Sequence, residues 1–318
     1  MVIALGWCLF ALLLLALGGD SILKGASGLS RRFGLSSFAT GLLLVAFGTS
    51  IPELAVNARA FAVGSQSLAL GNAIGSNIVN FGLTLGLAAI AAPLVVRWRA
   101  LVPLLLCLIV ATAALLALAL FGDGVLNRAE GLTMVAAFVA VVAFALSRSH
   151  REDPALQAQI SGYLETGTAL WRNLLRFALG AALLYFGARQ LVDNAPIVGL
   201  AWGMTPLLTG LIAVAIATAL PEAVAAVSAA RQGQGDMVVG HVIGSSLFNL
   251  LVVVGGMAAL RPLPIPASFV GLELPAALAM SLLMLPMLRK DLQISRAEGW
   301  VLFVAFVAWA AFEIALSH

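Results

Sequence analysis

Thr40–Glu53 reads TGLLLVAFGTSIPE, and Thr209–Glu222 reads TGLIAVAIATALPE. Eight of these fourteen positions are identical. Further along, Gly71–Asn80 reads GNAIGSNIVN and Gly240–Asn249 reads GHVIGSSLFN, with five of ten positions identical. Both pairs share one offset, 169 residues, and need no gap. Self-similarity at a fixed offset means that one structural unit is built twice.

The chain around these motifs is strongly apolar. Of 318 residues, 62% are hydrophobic and 10% are charged, and mean hydropathy is +1.08. Soluble domains carry roughly 25% charged residues. This composition excludes a soluble enzyme, a nucleic-acid binder and a disordered chain. It predicts an all-α polytopic membrane protein. The formal net charge of +3 reflects loop residues that set orientation rather than an acidic partner. Cys8 and Cys107 fall in apolar runs and read as packing residues, with no disulfide framework.

A spanning helix needs about 20 apolar residues. Ten spans are expected, near 2–19, 36–62, 68–91, 101–121, 128–147, 172–193, 204–230, 237–260, 268–288 and 297–316. The first run lacks a basic leader and a cleavage site, so it reads as a helix that stays. The polar stretch 148–171 reads as a linker between a first five-helix half, 1–147, and a second, 172–318. The repeat motifs then occupy 40–91 and 209–260. Spans two and seven are an odd number of crossings apart, so the repeats run in opposite directions. The expected fold is two inverted five-helix repeats with broken helices at the centre, an architecture that places a binding site near the bilayer midplane.

Lys and Arg concentrate on the cytoplasmic side of membrane proteins. With the N-terminus outside, 13 of the 17 basic residues fall on the inner face and four, Arg59, Arg128, Arg189 and Arg261, on the outer. Both termini are therefore expected outside and the linker in the cytoplasm, in a plasma (inner) membrane.

Pro52 and Pro221 each stand mid-span and remove a backbone donor, which frees the carbonyls of Gly48 and Ala217. A freed carbonyl in a bilayer must find a hydroxyl, a water or a cation. Thr49, Ser50 and Thr218 stand beside these prolines. Each proline is followed by an acid, Glu53 or Glu222. A carboxylate at mid-bilayer costs at least about 2.5–3.5 kcal/mol and faces a cavity or a partner. No Lys or Arg lies deep in these spans, so the partner is expected to be a mobile cation or a proton. Ser76 with Asn80, and Ser245 with Asn249, are spaced four apart and share a helix face. GNAIG and GHVIG allow close helix approach. Asn77 aligns with Ser246 in the other repeat, not with an asparagine, and reads as a packing or supporting residue.

The donor set is therefore all oxygen. It suits a hard cation such as Ca²⁺, which takes about 6–8 oxygens, or Na⁺. Zn²⁺ and Cu²⁺ prefer His or Cys. Two carboxylates can be neutralised by one Ca²⁺ or two Na⁺, and competition for one set of oxygens is a physical basis for antiport.

GTSIPE with GNAIGSNIVN, then ATALPE with GHVIGSSLFN, resembles the paired α-repeats of the calcium/cation antiporter superfamily, in particular prokaryotic sodium/calcium exchangers. The resemblance covers nearly the whole chain. It implies Na⁺-driven Ca²⁺ exchange, with Glu53 and Glu222 as shared central ligands. Thr49, Ser50, Thr218, Ser76, Ser245, Asn80 and Asn249 would be neutral ligands, and Ala46 and Ala215 would offer backbone carbonyls. Ala219 departs from the family pattern, which usually has Ser there. The two neutral asparagines, Asn80 and Asn249, depart from relatives carrying an Asp, and argue against K⁺ cotransport. His241 stands where the first repeat has Asn72 and reads as a tolerated variant or helix-end residue rather than a pH sensor.

The transported ions are thus expected to be Ca²⁺ and Na⁺, with H⁺ as an alternative counter-ion, since buried glutamates can carry protons. A channel is a further alternative, disfavoured by the inverted repeats. No HExxH, GxSxG or Walker A motif is present, so no enzyme, no nucleotide and no cofactor is expected, and a monomer is expected to suffice.

Overall fold

A computed structural model describes residues 1–32, 50–97, 101–149, 169–290 and 292–316. It is almost entirely helical. The first half comprises α1 (Val2–Arg32), α2 (Ile51–Ala62), α3 (Gln66–Ala91), α4 (Leu101–Phe121) and α5 (Arg128–Ser149). The second comprises α6 (Leu170–Ala201), α7 (Pro206–Arg231), α8 (Gly235–Leu260), α9 (Leu274–Lys290) and α10 (Arg296–Leu316).

Eight helices among the described residues are long and apolar enough to cross a membrane, against the ten spans expected. The other two are α2 and α6. Only 12 residues of α2 are described. α6 has 32 residues, about 48 Å at 1.5 Å each. Arg172, Arg176, Arg189 and Asp193 dilute its hydropathy.

The repeat recurs in the backbone. α3 is built from Gln66–Val79, a π-helical segment Asn80–Leu85, and Gly86–Ala91. α8 is built from Gly235–Phe248, a π-helical segment Asn249–Val254, and Gly255–Leu260. Every one of these boundaries is displaced by the same 169 residues. A π segment hydrogen-bonds one residue further back than an α-helix, so it opens the backbone ladder locally, often at functional sites. Here each opens at the asparagine singled out above.

The two prolines are housed differently. α2 begins at Ile51, so Pro52 sits in a first turn, where its missing donor would have had no partner. No such break occurs at Pro221: the helix Ala215–Arg231 runs through it, contrary to the interruption expected there. The carbonyl that Pro221 frees belongs to Ala217, which lines a cavity, and irregular backbone is tolerated where it does so. α7 departs from α geometry earlier, at the π segment Thr209–Val214.

α3 and α8 form the core. Their apolar windows are 83% and 89% buried, against 50% or less in the other spans. Both are small-residue helices. A side chain at Gly71 or Gly75 would collide with the backbone carbonyls of Leu207 and Leu211, so α3 and α7 cross backbone against backbone. α1 packs along α6, again through small residues such as Gly18 and Gly180.

The halves interleave. α3 packs its Gly86 end against Gly299 of α10, and α8 packs its Gly255 end against Gly131 of α5. Two short antiparallel clips repeat the exchange. β1 (Leu94–Val95) pairs with β4 (Gln293–Ile294), and β2 (Val125–Leu126) pairs with β3 (Leu263–Pro264). The clips lie at opposite ends of the helices. Near β1, the Arg97 amide donates to Asp236 at 2.7 Å. At the other end, Arg261 Nη2 donates to the Phe61 carbonyl at 2.9 Å and its guanidinium lies 4.6 Å from the Phe61 ring centroid.

Candidate cation site

The N-terminus of α2, the middle of α3, the middle of α7 and the middle of α8 meet at the centre. Asn77 Nδ2 donates to the carbonyl of Ser246 at 3.1 Å, and the two residues are 169 apart. A residue bonded to its own repeat counterpart marks the pseudo-two-fold axis of the fold. The described candidate residues lie around that axis.

On one side of it a hydrogen-bonded chain is complete. Ser50 Oγ donates to Ser245 Oγ at 2.6 Å, and Asn80 Nδ2 donates to the same oxygen at 3.1 Å. All three side chains are buried. On the other side the mirror chain is missing. The counterpart of Ser50 is Ala219, which has no hydroxyl. Ser76 Oγ and both side-chain polar atoms of Asn249 accordingly have no hydrogen-bonding partner among the described residues, although both residues are buried.

Glu53 lies in the first turn of α2 and is 2% exposed. The positive end of that helix favours an acid there. Glu222 lies one residue beyond Pro221, with its side chain 11% exposed, close enough for its charge to act on Glu53. Thr218, one turn before Glu222, donates its hydroxyl hydrogen to the carbonyl of Val214 at 3.0 Å or of Ala215 at 3.3 Å. The oxygen keeps its lone pairs for another partner. Thr49 and Ala46 lie outside the described residues.

Among the described residues no Lys or Arg pairs with either glutamate. Glu53 Oε2, Glu222 Oε1, Ser76 Oγ, Asn80 Oδ1 and Asn249 Oδ1 all lack a hydrogen-bond donor there. Buried acceptors without donors cost about 1–3 kcal/mol each, more when charged. Five such oxygens around one axis form a donor set suited to a hard cation.

Among the described residues a cavity opens onto one side of the site. It measures about 240 Å³ and reaches Glu222 but not Glu53, bounded by α1, Pro52, α7 and α8. It follows α7 from Ala217 to Ala229 and takes in Met237 and His241 of α8. Ala226 and His241 form part of its wall. Their counterparts in the first repeat are Asn57 and Asn72, both fully buried, where Asn72 Nδ2 donates to Asn57 Oδ1 at 2.9 Å. The cavity wall of one repeat is thus a closed, hydrogen-bonded contact in the other.

Two features escape the sequence reading. Asn57 is not singled out there, although its spacing of four from Glu53 puts both on one face of α2. His241 also comes within 3.7 Å of Glu222, Nε2 to Oε2. The alignment of Asn72 with His241 carries the signal for both.

Comparison with known proteins bears on the chain as a whole. The sodium/calcium exchanger protein family model matches residues 3–147 and 172–315. A protein of Alkalimonas amylolytica named as an antiporter, CaxA, is 34% identical, covering 97% of this chain and 98% of that one. The inner membrane protein YrbG of Escherichia coli is 31% identical, covering 98% and 97%. A sodium/calcium exchanger of Methanosarcina acetivorans is 29% identical, covering 95% of each. The solved structure of the sodium-calcium exchanger NCX_Mj soaked with Na⁺ and Sr²⁺ superposes with a TM-score of 0.67 at 26% identity, covering 98% of each chain. The chain is thus a multi-pass membrane transporter rather than an enzyme, and it belongs to the sodium/calcium exchanger protein family.

Proposed function

We propose that this chain is a secondary active antiporter that exchanges Na⁺ for Ca²⁺ by alternating access. The observation that carries this reading is the pair of repeat-related glutamates, Glu53 buried and Glu222 at the cavity, with unpartnered oxygens around them and no Lys or Arg among the described residues to neutralise them. Glu53 and Glu222 are the shared ligands. Ser50, Ser76, Thr218, Ser245, Asn80 and Asn249 supply neutral oxygens, with Thr49 and the carbonyls of Ala46 and Ala215 completing the set. Bound cations repay the cost of burying the two carboxylates. An empty site lacks that compensation, which favours exchange over leak.

The one-sided cavity supports alternating access. In an inverted repeat, the conformation of one half is the mirror of the conformation available to the other. The open wall at Ala226 and His241 and the closed contact at Asn57 and Asn72 are two such states of one motif. With the basic residues of the β1–β4 face in the cytoplasm, the termini are outside, the linker is inside and this cavity opens inward. The membrane is the plasma (inner) membrane, and one chain is the working unit.

The test is Ca²⁺ flux into proteoliposomes. An outward Na⁺ gradient at clamped pH is expected to drive Ca²⁺ uptake, and K⁺ is expected to have no effect. Uptake driven only by a pH gradient would replace this reading with proton exchange.

A further inference from the structure

His241 is the chain's departure from its own repeat, standing where the first half has Asn72. Asn72 is occupied with Asn57. Ala226 stands at the position of Asn57, so the Asn57–Asn72 amide pair is not repeated in the second half. Instead its Nε2 lies 3.7 Å from Glu222 Oε2, and both side chains are about nine-tenths buried, at 10% and 11% exposed. Both line the cavity, as does Thr218.

That spacing suits a shared ion. Two donors each about 2.1 Å from one metal stand up to about 4 Å apart. Imidazole nitrogen binds borderline transition cations far better than it binds Ca²⁺ or Na⁺, and carboxylate and hydroxyl oxygens accept the same ions. Among the described residues no group of three or more His, Cys, Asp and Glu could hold a metal. The remaining positions therefore fall to Thr218 and to water, which keeps the ion exchangeable.

We propose that His241 and Glu222 form a mixed nitrogen and oxygen subsite at the deep end of the cavity, which takes a divalent transition cation, Mn²⁺ included. The inference rests on Glu222 being a cation ligand, as proposed above. It extends the accepted cations beyond the Ca²⁺ and Na⁺ of the oxygen cluster to divalent transition ions. It also confines the extension to one face of the site, because the first repeat offers only Asn72.

Pulsed electron paramagnetic resonance of the purified full chain in detergent, loaded with Mn²⁺ alone, tests this directly. The expected result is imidazole nitrogen modulation on bound Mn²⁺, lost in His241→Asn, which restores the first repeat's own residue. His241→Gln serves as the second variant if His241→Asn fails to bind Ca²⁺ in equilibrium dialysis. Mn²⁺ that binds and is displaced by Ca²⁺ but shows no nitrogen modulation overturns the subsite and leaves the oxygen site standing. Modulation that survives both variants also overturns it, since another histidine is then the ligand. If Mn²⁺ does not bind while Ca²⁺ does, only the subsite falls. If neither binds, the exchanger reading falls with it.

Discussion

The missing mirror chain at Ala219 can be restored by one atom. Ala219 is 1% exposed and is the counterpart of Ser50, whose hydroxyl donates to Ser245 at 2.6 Å. Ala219→Ser offers Ser76 the same bond and lets Asn249 donate to Ser76 as Asn80 does to Ser245. A net buried hydrogen bond contributes about 0.5–1.5 kcal/mol, and relieving an orphaned polar group about 1–3 kcal/mol. Adding an atom to a packed interior opposes this, typically by about 1–3 kcal/mol when the added group is a methylene. A hydroxyl with a waiting partner sits at the low end, so a net gain of about 1 kcal/mol is expected in the absence of cations. The reverse change, Ser50→Ala, gives both halves the incomplete pattern and is expected to cost about 1–3 kcal/mol. Thermal unfolding of the detergent-solubilised protein without Na⁺ or Ca²⁺ reads the first effect. The added oxygen also lies among the proposed ligands, so the Na⁺ titration midpoint is expected to move by about fivefold, the equivalent of 1 kcal/mol, and the Ca²⁺ midpoint by less. If Ala219→Ser melts no higher than wild type and leaves the Na⁺ midpoint unchanged, the mirror reasoning is wrong.

Three further outcomes are expected. Glu53→Gln or Glu222→Gln should abolish exchange while the protein still inserts, because either removes half the charge that neutralises the cations; normal transport by both variants in proteoliposomes would place the site elsewhere. In a chain with Cys8 and Cys107 replaced by alanine, Ala226→Cys should react with a water-soluble thiol reagent without cations, whereas Asn57→Cys should resist; equal rates would contradict the one-sided cavity. Val95 and Gln293 are directly paired across the β1–β4 clip, so Val95→Cys with Gln293→Cys should cross-link and retain Ca²⁺ flux; loss of flux on cross-linking would show that the clip opens during transport.

The sequence carried the membrane class and the duplicated unit, because composition and a gapless offset report on every residue at once. The π segments were legible only as sites of polar residues. Asn80 and Asn249 were visible, but the ladder opening beside each is a backbone event. Ser50 and Ser245 were read as separate ligands, whereas the fold joins them by a hydrogen bond, since their contact depends on how helices from opposite halves cross. Pro221 was misread as a break because a proline's cost depends on what its freed carbonyl faces, and Ala217 faces a cavity. Gly48, Thr49 and Ala46 lie outside the described residues, so the first repeat's equivalents of Ala217, Thr218 and Ala215 stand as sequence expectations.

The interleaving of the halves sets a timetable for biosynthesis. α3 leaves the ribosome early, yet its Gly86 end packs on α10, which is made about two hundred residues later. The partner of β1 likewise lies about two hundred residues downstream. Contacts of such long sequence separation form late, after the intervening chain has been ordered. The first five helices therefore wait in the bilayer with Asn77 and Asn80 lacking their final partners, Ser246 and Ser245. A half-finished chain is an unsealed one, and its quality control must tolerate a polar core helix until translation ends.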